Sequence, residues 1–200
     1  MSRTSNSLLS AVVLSVIASG ASAEIFVAET QSVFEALVGE FGGSVVAQSF
    51  GSYNGFYESG LVGGSGDAAW TASASGGLFA EAGIFSSDTP NVALTFSFSS
   101  ANVFAIGGNF FNTNFDFSTG AGLVKVVAGG VNFILPSSPS SFAGFVSTQG
   151  SISSISILPF GGAAAGTFPS TNSLLIGVVP APGAVALLGV AGLLARRRRA

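Results

Sequence analysis

Residues 92–99 read VALTFSFS, and Val92, Leu94, Phe96 and Phe98 alternate there with Ala93, Thr95, Ser97 and Ser99. Successive side chains of an extended chain point to opposite faces, so a period of two predicts a strand with one face on a core and one toward water. Immediately after it, 103–111 (VFAIGGNFF) is apolar almost throughout, as expected of an inner neighbouring strand. Further strands are expected at 25–28, 123–128, 131–135, 142–147, 152–158 and 173–178, with weaker signals at 45–50, 68–74 and 78–84. Turn-rich breaks separate them at 63–67, 86–91, 112–114, 129–130, 136–141 and 161–166. In 31–41, Val33, Phe34, Leu37, Val38 and Phe41 recur at spacings of three and four, which predicts one short helix near the start of the body.

Ten or so short strands at this spacing, with no alternation of strand and helix, predict an all-β fold. The expected form is an antiparallel β-sandwich of jelly-roll type with one short N-terminal helix. The chain has 200 residues, of which about 155 lie between the two ends treated below, enough for one hydrophobic core. A hydrophobic content of 48% argues against disorder. Nineteen phenylalanines supply much of the apolar material, and with no cysteine the fold must be held by burial rather than disulfides.

Charge is partitioned along the chain. Five of the six basic residues lie near the ends, at Arg3, Arg196, Arg197, Arg198 and Arg199, and the body keeps only Lys125. All nine acids lie in the body: Glu24, Glu29, Glu35, Glu40, Glu58, Asp67, Glu81, Asp88 and Asp116. One lysine against nine acids gives the body a net charge of −8. Such a surface repels phosphates, which argues against a nucleic-acid partner.

The ends read as address labels. Arg3, the apolar run 8–18 and the small-x-small site Ala21-Ser22-Ala23 have the three parts of a secretory signal peptide, with Glu24 as the first mature residue. At the other end, Pro180, Ala181, Pro182 and Gly183 precede the apolar run AVALLGVAGLLA at 184–195, followed by four arginines. As a helix, 183–195 would be about 20 Å long, short for a membrane span, with arginines that hold its end on the cytoplasmic side. Domain limits follow: 1–23 signal peptide, 24–178 β-sandwich, 179–200 sorting tail with a transmembrane helix at 184–195.

The tail Val179-Pro180-Ala181-Pro182-Gly183, apolar helix and Arg196 to Arg199 resembles the PEP-CTERM sorting signal of Gram-negative bacteria. The same tail region also carries the label "ice-binding protein C-terminal", a name for the tail rather than for the body. The resemblance covers about a tenth of the chain and departs from the family at Ala181, where glutamate is most common. It implies processing near the box by an exosortase, a membrane protease, after transient anchoring in the inner membrane. The destination it implies is the cell surface or extracellular matrix. Phe142-Ala143-Gly144-Phe145 followed by Ile152, Ile155 and Ile157 is loosely similar to bodies carried by such tails, and this assigns no activity.

Chemistry in the body is sparse. With neither histidine nor cysteine, no Ser-His or Cys-His dyad and no zinc site built on those residues is available. Gly64, Gly66 and Ala69 fit a loose dinucleotide-binding spacing but lack the strand-helix context, so a turn is expected. A glycoside hydrolase needs only two carboxylates, and Glu58, Asp67, Glu81, Asp88 and Asp116 are the candidates, with no pair set apart by spacing. Loop oxygens at Asp67, Asp88, Asn91, Asn112, Asn114 and Asp116 would suit a structural calcium ion, though no EF-hand pattern occurs. Tyr53, Phe56, Tyr57 and Trp70 fall in or near Gly-rich loops; the favoured reading places Trp70 and the phenylalanines in the core, where aromatic groups usually go, and Tyr53, Tyr57 and Trp70 are the expected ligand contacts if the body stacks sugar rings. The reading is a non-catalytic surface or matrix protein, glycan-contacting or adhesive. A purely structural envelope component is the alternative, and a carboxylate-only hydrolase the weaker one.

Overall fold

The computed structural model describes residues 24–179, so the signal peptide expected at 1–23 and the helix and arginines expected at 184–199 lie outside the described residues. In chain order the elements are β1 (Ile25–Ala28), α1 (Gln31–Glu40), β2 (Ser44–Ser49), β3 (Gly55–Tyr57), β4 (Leu61–Gly63), β5 (Trp70–Ser73), β6 (Leu78–Glu81) and β7 (Ile84–Ser87). They continue with β8 (Leu94–Phe98), β9 (Val103–Thr113), β10 (Leu123–Ala128), β11 (Val131–Pro136), β12 (Phe142–Ser147), β13 (Ser154–Phe160) and β14 (Phe168–Val178). The pairings are antiparallel throughout. One sheet has the order β1-β12-β9-β14-β7-β6-β3, with β2 also on β14, and the other has the order β11-β10-β13-β8-β5-β4. The expectation of an all-β antiparallel sandwich with one helix holds. Among the described residues no helix is long and apolar enough to cross a membrane.

The two sheets close on one core. Phe96, Leu94, Val124, Val126, Ile155 and Ile157 from the six-stranded sheet meet Phe85, Ile106, Phe110, Phe145, Leu174 and Ile176 from the eight-stranded one. At one end Phe50, Tyr53, Trp70, Phe85 and Phe96 pack ring on ring, with centroids from 5.1 to 6.3 Å apart. Edge-to-face and offset contacts of this kind add stability beyond the area they bury.

The eight-stranded sheet is covered on its second face too. Helix α1 lies there, forming a separate cluster of Phe34 and Val38 with Ala28, Phe104, Ala105, Phe142, Val146 and Leu175. This explains why β9 and β12 read as unbroken apolar runs while β8 alternates: a strand buried on both faces has no polar side to show. Helix α1 starts at Thr30, whose hydroxyl accepts from the Val33 amide at 3.4 Å. It ends at Glu40 and is closed by Gly42, at φ 74°, with the Gly43 amide donating back to the Val38 carbonyl at 2.9 Å.

Close approach of the helix needs glycines beneath it. A Cβ on Gly144 would lie 2.5 Å from Phe34 Cδ2, and one on Gly177 would lie 3.0 Å from Val38 Cγ2 and 2.7 Å from the Ala105 Cβ. Gly107, paired with Gly144, is covered in turn by the Phe142 ring. A β-bulge where β9 meets the end of β14 places Phe104 and Ala105 in succession on the helix side.

Most elements fall where the sequence puts them, with three corrections. The run 78–84 is two strands, because Ala82 and Gly83 turn the chain and pair Glu81 with Ile84. The last strand begins at Phe168, five residues earlier than expected, because its polar segment PSTNS pairs with β9 and β7. The three-residue strands β3 and β4 were not expected from the sequence: their Gly-flanked pairs of large residues carry no measurable period.

The helix-on-glycine contact is testable by equilibrium denaturation. Phe34→Ala should cost about 3–5 kcal/mol, and Gly144→Ala about 1–3 kcal/mol through overpacking. Gly39→Ala, on the exposed side of α1 with open space around it, should be neutral or stabilising. A neutral Gly144→Ala would show that the close approach is not a constraint.

Candidate functional site

Beyond the end of the helix, the same outer face of the eight-stranded sheet is no longer covered by α1. The register sets Phe111, Ser170, Ser86 and Phe79 side by side across β9, β14, β7 and β6, with Thr113 opposite Phe168 one step further on. Phe111 alternates with the inward-facing Phe110, so this row faces away from the sandwich core. Here the β6–β7 hairpin and the loop after β9 enclose a cleft of about 530 Å³. Phe79, Phe115, Phe117 and Phe168 supply its apolar walls, and Glu81, Asp88 and Asp116 its charge. Ser86 and Thr113, respectively 2% and 1% exposed, contribute hydroxyl-bearing side chains to the lining.

Both flanking turns hold a non-glycine residue in the left-handed region. Asn114 accepts from the Phe117 amide at 3.1 Å and donates its own amide to the Ser118 carbonyl at 2.9 Å, a tight turn closed by Phe117 at φ 60°. That position usually takes glycine. The arrangement leaves Phe115 89% exposed at the rim and brings Phe117 against Phe79, centroids 5.5 Å apart. Across the cleft, Ala82 at φ 51° precedes Gly83 at φ 82° in the two-residue turn of the β6–β7 hairpin. Backbone strain of this kind costs on the order of 1–3 kcal/mol a residue and gathers at binding sites.

Asp116 is fixed by its own turn. Its Oδ1 accepts from the Ser118 hydroxyl at 2.6 Å and from the Ser118 amide at 3.1 Å. The hydroxyl bond first, then the amide bond, holds the Asp116 carboxyl below its ordinary value. Thr113 and Ser170 share a buried hydroxyl-hydroxyl bond of 2.8 Å, and the Ser86 hydroxyl donates to the Phe79 carbonyl at 3.3 Å.

The structure redistributes the sequence candidates. Of the five carboxylates considered for hydrolysis, Glu81, Asp88 and Asp116 line this one cleft, while Glu58 and Asp67 do not. Trp70 does not present a ring to solvent as a sugar contact would. It is 1% exposed, packed among Phe50, Phe85 and Phe96, with Nε1 donating to Gln48 Oε1 at 3.4 Å. Tyr53 packs on the same core, and the Tyr57 hydroxyl is bonded to the backbone of Asn54. Of the loop oxygens considered for calcium, Asp67 Oδ1 accepts from Ser100, Asn91 Oδ1 from the Gly166 amide and Asp116 Oδ1 from Ser118. Asn112 is buried and donates to the carbonyls of Ala121 and Leu123. Among the described residues no group of three or more Asp, Glu, His or Cys side chains is placed to hold a metal ion. Sequence reasoning missed the four phenylalanines of the cleft. The signal was the run NFDF at 114–117, two large apolar residues in a polar turn.

Comparison with known proteins returns no match: no family model, no curated protein and no solved structure matches the chain.

Two outcomes test this geometry. Because the Asp116 carboxyl is held below its ordinary value in the fold, its contribution is complete above about pH 4. It is lost as the pH falls through the lowered value. An NMR titration should place Asp116 below an unperturbed aspartate, and Ser118→Ala should raise it. An unmoved midpoint in the variant would rule out the Ser118 hydroxyl as the cause. Ala82→Asn, which creates the Asn-Gly pair favoured in such hairpins, should stabilise the protein by about 1 kcal/mol in thermal unfolding.

Proposed function

We propose that this chain is an exported, surface-sorted, non-catalytic protein of the cell envelope or extracellular matrix. In this reading the body is a sandwich of jelly-roll type that contacts glycan through the cleft between the β6–β7 hairpin and the loop after β9. The signal peptide is removed after Ala23. The tail helix at 184–195 holds the protein in the inner membrane until an exosortase-like protease cuts near Pro180 and Pro182. The observation that carries the reading is a shared boundary. The fold runs from β1 at Ile25 to the end of β14 at Val178; eight of the nine acids lie within it, the ninth, Glu24, lies immediately before it, and five of the six basic residues lie outside it. Removal of both ends would leave a compact acidic body with no membrane-seeking segment of its own.

Glycan contact draws on the cleft rather than on Tyr53, Tyr57 and Trp70. Exposed rings offer stacking faces for the apolar faces of sugars, and carboxylates accept from their hydroxyls. The same cleft gives the hydrolase reading its one specific support, three carboxylates around one space. Against it, Asp116 is held ionised and so is unfit as a general acid near neutral pH.

Mass spectrometry of the extracellular form should find a chain that begins at Glu24 and lacks Arg196 to Arg199. Retention of the arginines would overturn the processing step. Purified extracellular polysaccharide should bind the protein without release of sugar. No binding would leave the purely structural role, and sugar release would revive the hydrolase.

A further inference from the structure

We infer that the cleft selects a glycan bearing free amino groups, a glucosamine-type polymer rather than a neutral or acidic one. The inference rests on the cleft being a glycan site and goes on to name the sugar class. Its first ground is charge. Glu81, Asp88 and Asp116 line the cleft, and no basic residue does. The one base among the described residues, Lys125, is on β10 in the other sheet. Uronic acids, sulfates and phosphates would meet three negative charges with nothing to offset them, whereas an ammonium group is attracted.

The second ground is the kind of aromatic residue. All four rings are phenylalanine, with no hydroxyl or indole N–H to bond a sugar. What they offer is the negative ring face, which attracts C–H edges and, more strongly, a cation. Phe115 stands free at the rim, and Phe117 is braced on Phe79. The lining is therefore rich in acceptors and ring faces, so the ligand must bring the donors. A hexosamine brings both hydroxyls and an ammonium.

The third ground is spacing. The three carboxylates share the cleft yet make no cluster able to hold a metal ion. Acids distributed around a space of about 530 Å³ suit an extended ligand with several cationic or hydroxyl donors better than a single point charge.

The test is titration of the isolated protein with four probes at pH 6 and low salt: glucosamine oligomers, their N-acetylated counterparts, oligouronates, and a lysine oligopeptide of matched charge. The glucosamine oligomer should bind at least about tenfold more tightly than the N-acetylated one, the margin of a charge-assisted bond. Added salt should erode that preference, and the NMR signals of Phe115 and Phe117 should move. Phe115→Ala, whose ring is exposed and so carries little of the fold, should weaken binding of both sugars. Glu81→Gln and Asp116→Asn should lower the preference for the amine while sparing the N-acetylated oligomer. Equal binding of the two sugars would overturn the amino-sugar inference and leave the glycan site standing. Preference for the lysine peptide would overturn it in favour of a cationic protein partner. Binding of none of the sugars would remove both readings.

Discussion

The eight-stranded sheet is covered on both faces, and the rest of the molecule is arranged around that fact. Its inner face meets the six-stranded sheet across a core rich in phenylalanine, and its outer face carries α1. A helix can sit this close to a sheet only where the sheet lacks side chains. Gly144 and Gly177 provide that bare surface, and Phe34 and Val38 fill it. With no disulfide available, this double burial is the main source of stability in the body, each buried large side chain adding about 1.5–3 kcal/mol before conformational entropy is counted.

Where the helix ends, the same face changes character. Beyond Asn109 the residues opposite one another are Ser86, Ser170, Thr113 and Phe168, and the sheet splits. Strand β14 pairs with β2 along its second half and with β7 along its first, and the irregularity between Thr171 and Ser173 marks the division. Two turns rise beside the uncovered end, each holding a non-glycine residue in the left-handed region. A stable scaffold thus carries a strained, aromatic and acidic rim. The strain at Phe117 has a local return, since that backbone shape directs one ring onto Phe79 and leaves Phe115 free.

Much of the fold was legible in the sequence because hydrophobic periodicity reports burial directly. The alternation at 92–99 marks β8 as a strand with one buried face, and the spacing of Val33, Phe34, Leu37 and Val38 marks α1. The site was far less legible. Glu81, Asp88 and Asp116 are spread over 36 positions of sequence, and nothing in that spacing joins them. They meet because β6 and β7 fold back at Ala82 and because β14 lies between β7 and β9 and pairs with both. Trp70 shows the opposite case, where the general tendency of aromatic groups to fill the core decides the matter. A lone tryptophan near glycines looks like a surface ring, but Gly63 leaves room for its indole inside the sandwich.

The sequence by itself determined that the body is a β-rich, disulfide-free, acidic domain with one short helix, because side-chain period and charge count are properties of the chain alone. The tertiary structure alone decided which face of the larger sheet the helix covers, that the uncovered end becomes a cleft, and which acids and rings share it. Those outcomes depend on strand order and register, and pairing between segments far apart in sequence leaves no local trace in either one.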